Sequence, residues 1–254
     1  MSTEGIDFEH RRGKDFVKAG GSREQKFFDR LSSQYQHFIR QRRSLEWMRP
    51  IIEPRMGKRV LDVGSGGVRE FFPSQTSLYV GVDLSHEMLR EGREQSIQKV
   101  CGEATILSFK RGVFDTVFYQ SLLHHLAEKS PERTMETVKM ALLQGFFCLR
   151  EEGNVMVVEP CLPSWLERFE RVFFILLKIF LFLTKQPGVF LFSSETLGRT
   201  LLESGYHHVQ IWKAEKDERG PRKWIQPCLG FPLLRIPRWL NPARRTILVA
   251  NKQG

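Results

Sequence analysis

The stretch that most constrains the fold runs from Val60 to Leu89. It carries V-L-D-V-G-S-G-G, a spacer, and then Y-V-G-V-D-L-S-H-E-M-L. Arg59-Val60-Leu61 and Val63 read as a buried strand, because β-branched and aliphatic residues run together and a glycine turn stops them. Gly64, Ser65, Gly66 and Gly67 then form a turn in which bare backbone can lie against a ligand. Tyr79 to Val82 is a second apolar strand ending in Asp83, and Ser85 suits the N-cap of a following helix. The predicted order is strand, glycine loop, short helix, strand, acid, helix. That is the first half of an open α/β sheet, where ligands bind beyond the carboxyl ends of the strands. An acid at the tip of the second strand can accept two hydrogen bonds from a ribose diol.

Two kinds of nucleotide-like ligand suit such a half-site. A dinucleotide loop wants G-x-G-x-x-G/A, whose last small residue lets helix and strand pack closely. Arg69 holds that last position here, which argues against a pyrophosphate cradle. D-V-G-S-G-G followed by G-V-D-L-S instead resembles the class I S-adenosylmethionine-dependent methyltransferases, of the small-molecule, type 11-like group. A glycine turn in an unrelated α/β protein is the alternative.

Further segments extend the resemblance in the right order. Gly102-Glu103-Ala104 with L-S-F at 107–109 is similar to the family's G-D-A…L-P-F, with Glu103 in place of the aspartate. F-D-T-V-F at 114–118, followed by S-L-L-H-H-L at 121–126, resembles the segment around the fourth strand. F-F-D-R-L-S-S-Q-Y at 27–35 is similar to the aromatic segment that covers the cofactor. The resemblance implies S-adenosyl-L-methionine as cofactor. It implies contacts from Asp62, Gly64, Ser65, Gly66, Asp83, Leu84, Glu103, Ala104, Ser121 and Tyr35. Asp83 would meet the ribose, Glu103 and its neighbour the adenine edge, and the strand-end backbone near Ser121 the ammonium group. It also implies a Rossmann-like seven-stranded sheet ordered 3-2-1-4-5-7-6, with the last strand antiparallel. Strand candidates at 155–160, 205–212 and 245–250 would complete that sheet. The expected division is a tail at 1–22 and one domain at 23–254, with an N-terminal cap at 23–48 and insertions at 161–192 and 214–243.

The insertions are what a bare sheet does not explain. Val172 to Leu183 is apolar apart from Lys178. A membrane span needs about 20 apolar residues, so this run is too short to cross. A cap helix, an interfacial helix, and plain core or a dimer contact are the open readings. The second insertion repeats prolines at 221, 227, 232, 237 and 242, which forbids a long helix. Its Trp224, Phe231 and Trp239 alternate with arginines, as suits an anionic interface or single-stranded nucleic acid. The formal net charge of +10 fits either. The aliphatic neighbour favours a membrane over RNA. The 4 cysteines lack metal spacing and read as reduced and cytosolic, and no apolar leader is visible near Met1.

Methyl transfer from a sulfonium needs alignment and dryness more than a base. A base helps where the acceptor must lose a proton, and His124 and His125 are the candidates beside the fourth strand. His207-His208 lacks partner ligands and reads as structural. No N/D-P-P-Y/F segment follows the fourth strand, which favours oxygen or carbon acceptors. The expectation is a methyltransferase for an apolar small molecule or lipid-like acceptor, cytoplasmic and in peripheral contact with a membrane through 172–192 and 219–245. An RNA methyltransferase and a non-catalytic membrane-associated adapter are the alternatives.

Overall fold

The computed structural model describes residues 25–30, 32, 46–92, 96–184, 186–214, 224–225, 236–237 and 241–253. Runs of apolar residues at the predicted positions form the central strands. β1 is Arg59–Val63, β2 Leu78–Asp83, β3 Gln98–Cys101, β4 Phe114–Gln120, β5 Leu149–Cys161, β6 His207–Lys213 and β7 Arg244–Asn251. The sheet order is β3-β2-β1-β4-β5-β7-β6. β1 to β5 pair parallel, and β7 enters antiparallel between β5 and β6. β1 and β4 are buried on both faces, as continuous apolar runs require. One face packs Val63, Val117 and Tyr119 beneath helices, and the other packs Val60, Phe118 and Met156.

The helices begin where caps allow. In α1, His86–Glu91, the Ser85 side chain accepts from the Met88 amide. In α2, Pro131–Cys148, Ser130 caps the Arg133 amide and Pro131 fills the first turn. α2 lies over β4, where Tyr119 Oη donates to the Ala141 carbonyl at 2.7 Å.

One expectation fails. No helix separates β1 from β2; residues 64–77 are turns and extended chain. Gly64, Gly66 and Gly67 have φ of 79°, 58° and 72°, left-handed values that end any right-handed helix. Pro73 closes the other side, so too few residues are left to nucleate a helix. The connection instead buries Phe71 edge-on against Phe118 and lays Arg69 over Tyr79 and Phe72. Strand β6 also departs from a plain run. His208 has φ 53° and the pairing with β7 shifts between His207 and Gln210, the signature of a bulge.

Both insertions leave the sheet at one end, where Cys161 of β5 pairs Arg244 and Lys213 of β6 pairs Thr246. The first closes on a bridge between Leu162 and Ser193 and holds α3, Ser164–Val172, and α4, Phe174–Leu183. Buried Glu167 of α3 accepts from the Ser193 amide and Thr196 Oγ1, which fastens α3 to α5, Ser194–Glu203. In the second, Trp224–Ile225 pairs Ile236–Pro237 in a separate ladder. Most of 215–240 lies outside the described residues.

Candidate functional site

A cleft of ≈ 1050 Å³, open mouth included, lies at the carboxyl ends of β1, β2 and β4. Its floor is the glycine loop. The Gly64 and Ser65 amides both donate to the Val82 carbonyl, at 2.8 and 3.0 Å, so the loop folds across the tip of β2. Gly81 makes room for this, since a Cβ there would stand 2.6 Å from Ser65 Oγ.

Asp83 is the hub of that floor. Its Oδ2 accepts from the Gly66 amide at 2.8 Å and its Oδ1 from the Ser85 amide at 2.9 Å. Each oxygen keeps a further lone pair for a ligand. Burial raises its pKa, with the Ser85, Gly66 and Leu84 amides opposing and Asp29 adding to the rise. Ser85 also bonds Asp29, which ties the helical residues 25–30 to the cleft, and Gln25 and Phe28 line its mouth.

Asp62 on β1 is buried, and its Oδ2 accepts from Tyr79 Oη at 2.7 Å. Its Oδ1 is buried with no hydrogen-bond partner. Burial pushes this carboxyl up to about 8, with the Tyr79 bond opposing and the nearby Glu70 and Asp83 adding to the rise. Glu70 lines the cleft and accepts from Gln120 Nε2. Glu103, bonded to Thr105 Oγ1, lines the opposite end beside Ala104. Among the described residues, the lining holds these four carboxyls and no lysine or arginine.

The roof comes from the segment after β4. Ser121 has φ 53°, an uncommon conformation for a residue with a side chain. It is held there by its amide on the Val158 carbonyl at 2.8 Å. Glu159, 1% exposed at the end of β5, grips the next three residues. Its Oε1 accepts from the Leu122 and Leu123 amides at 2.8 and 2.7 Å, and its Oε2 meets His124 Nδ1 at 2.6 Å. His125 turns the other way and lines the cleft, its ring edge-on to Phe28 with centroids 4.9 Å apart. Its Nδ1 is buried without a partner, and burial lowers its pKa well below 6.5. The ring is therefore neutral at pH 7.

The structure brings Asp62, Gly64, Ser65, Gly66, Asp83, Leu84, Glu103, Ala104, Ser121 and His125 around one cleft. His124 stands behind it on Glu159, and Tyr35 lies outside the described residues. Sequence reasoning passed over Glu70, Gln120 and Glu159. Only the spatial neighbours of Glu159 reveal its role, because its partners lie 35 to 37 residues away.

The residues fit S-adenosylmethionine, a ligand that carries an ammonium, a sulfonium and a ribose diol. An orphaned carboxylate oxygen and an acidic wall suit cationic groups, and the absence of a helix behind the glycine loop removes the usual pyrophosphate seat. Comparisons with known proteins agree. Residues 61–149 match the family model described as "Methyltransferase domain". A phosphoethanolamine N-methyltransferase of Triticum aestivum is 26% identical over 169 residues, covering 63% of this chain and 30% of that protein. The chain thus spans about a third of the length of that curated relative. A SAM-dependent methyltransferase from Thermotoga maritima superposes with TM-score 0.60 at 16% identity, over 90% of this chain and 99% of that one. A Burkholderia thailandensis 1,6-didemethyltoxoflavin-N1-methyltransferase with bound S-adenosylhomocysteine gives TM-score 0.59 at 14% identity, over 91% and 88%. A [4+2]-cyclase has the same fold, with TM-score 0.60 at 14% identity over 92% and 97%. Residues 61–149 thus match the methyltransferase domain, and the sheet built around them has the fold of the class I S-adenosylmethionine-dependent methyltransferases.

Proposed function

We propose that the chain uses S-adenosyl-L-methionine to methylate oxygen or carbon of an apolar small molecule or lipid-like acceptor. The observation that carries this reading is the unpartnered, buried Asp62 Oδ1 within a cleft of four carboxyls. An isolated buried acceptor costs about 1–3 kcal/mol unless something donates to it, and the cofactor's ammonium group is such a donor. Asp83 takes the ribose hydroxyls with its two free lone pairs. Glu103 and Ala104 border the adenine, and the backbone near Ser121 faces the methionine end. When bound, the cofactor supplies an electrophilic methyl group. The chain's part is to align the acceptor and exclude water.

His125 has a modest role in this scheme. Its bare Nδ1 accepts a hydrogen bond from an acceptor hydroxyl, whereas burial makes the imidazolium costly. It orients a hydroxyl better than it stores a proton. His124, bound to Glu159, supports the roof from behind.

What lines the cleft supports this acceptor class. The wheat relative's name gives an amino phosphate ester as its substrate. A phosphate calls for arginine or lysine, and the described lining offers none, so an uncharged acceptor suits this cleft better. The [4+2]-cyclase neighbour supplies a second reading, in which the fold serves another reaction.

Two measurements test the proposal. Asp83→Ala is expected to weaken cofactor binding in calorimetry about 10- to 100-fold, the loss of two hydrogen bonds to a charged acceptor. Incubation with methyl-labelled cofactor and a fractionated lipid extract is expected to label an apolar product. Intact cofactor binding without turnover would favour the second reading, and label found only in added RNA would replace the acceptor class.

A further inference from the structure

Helix α4 has its polarity reversed. Of its ten residues, Phe174 is buried, Leu181 is half-buried, and Lys178 is tied to the domain, its Nζ donating to the Glu128 carbonyl at 2.7 Å. These three fall at i, i+4 and i+7 and form the strip that touches the rest of the fold. The remaining seven are all Ile, Leu or Phe, and each is 43% to 71% exposed. At 3.6 residues per turn they cover an arc of about 220°. The helix's only charge, Lys178, is exposed but tied back to the domain, and the rest of the solvent side is apolar. Trp165, Phe169 and Val172 of α3 and Phe173 at the junction continue the patch. Contiguous apolar surface of this kind marks an interaction site.

The geometry points to one occupant: we infer that α3–α4 lies in the surface of an anionic bilayer. A partner helix or groove covers a stripe of about 100° or somewhat more, so one protein partner would leave much of this arc in water. Acyl chains and headgroups surround a helix to the required extent, and an interfacial helix needs no more length than this one has. No described helix is long and apolar enough to cross a membrane. Charge complements the patch. The chain carries +10 overall. Lys129 and Arg133, both exposed, flank Glu128, which α4 contacts, and Arg168 is exposed on α3. The acids directly against α4 are Glu128 and Glu170, and Lys178 and Arg171 stand beside them. The second insertion, basic and rich in tryptophan in sequence, is joined to strand ends that lie at the same end of the sheet as α3–α4.

The inference stands apart from methyl transfer and is tested separately. The full chain is floated with vesicles of phosphatidylcholine, alone or with phosphatidylserine. Binding is expected to the mixed vesicles, weaker to phosphatidylcholine alone, and reduced by salt. The paired substitution Ile175→Ser with Ile179→Ser is expected to lower vesicle binding about tenfold or more, as apolar area leaves the interface. Leu176→Ser with Leu183→Ser is expected to do the same from the other side of the arc. Cofactor affinity in calorimetry and the melting temperature are expected to stay at the unsubstituted values, since these side chains face solvent. Absence of vesicle binding would overturn the inference. So would binding that both pairs leave unchanged, or a dimer that either pair dissolves in a chain that ignores vesicles.

Discussion

Asp62 is the residue where burial and charge conflict most. Its carboxyl keeps a proton up to about pH 8 because it is desolvated next to Glu70 and Asp83. A bound ammonium favours the ionised form, so binding below that pH must expel the proton. Cofactor affinity is therefore expected to climb with pH, by up to about tenfold per unit, and to level off above about 8. Calorimetry in two buffers of different ionisation enthalpy reads the released proton directly. Asp62→Asn is expected to flatten the slope. The same shift acts on stability. The folded pKa lies above the unfolded value of 3.8, so the contribution is fully present below about pH 4 and lost as pH rises through about 8. Urea titrations across that window are expected to show the decline in the native chain and a smaller one in Asp62→Asn.

Among the elements, the end of β5 matters more to the cleft than its sequence suggests. Ser121 sits at φ 53°, and Glu159 holds the following turn through two amides and a ring nitrogen. Glu159→Ala would leave the Leu122 and Leu123 amides without an acceptor and free His124. Removing one partner of a buried pair costs about 3–5 kcal/mol, and a stability loss of that order is expected in denaturant titrations. Glu159→Gln retains an acceptor oxygen and is expected to lose less. Gly64→Ala should also act on this turn. Its φ is 79° and its new Cβ would stand 2.8 Å from Leu122 Cδ1, so destabilisation of about 1–3 kcal/mol is expected. How legible these elements were depends on the range of the forces that form them. β1, the glycine loop, β2 and Asp83 are set by neighbours in sequence, and their apolar runs and turn residues gave them away. The short helix expected after the loop failed for a local reason too: left-handed glycines on one side and Pro73 on the other. Nothing local marks Glu159, because a glutamate near the end of a strand acquires meaning only when the β4 turn folds onto it. His124 and His125 are adjacent and look alike in sequence. Their opposite facing is decided by Glu159 on one side and Phe28 on the other.

At the scale of the whole molecule, a basic chain encloses an acidic cleft. The +10 net charge and the four lining carboxyls have to serve different partners. A cationic ligand gains from the local carboxyls despite the overall sign, because nearby charges in a desolvated cleft outweigh distant ones screened by salt. A polyanion would be drawn to the surface and repelled from the cleft. This separation yields a ligand test that needs no knowledge of the acceptor. S-adenosylhomocysteine at about 100 times its dissociation constant should stabilise the fold by about 2.7 kcal/mol. That is a rise in melting temperature of about 5–10 °C for a domain of this size. NAD, whose two phosphates would have to sit among the lining carboxyls, is expected to give no shift. S-adenosylmethionine differs from the homocysteine product by a methyl group and a sulfonium charge. Its affinity relative to the product is therefore expected to fall as salt is raised, if the carboxyls act through charge. A ratio that holds constant from low to high salt would mean that shape and hydrogen bonding alone fill the cleft, and that its acidity serves the empty protein instead.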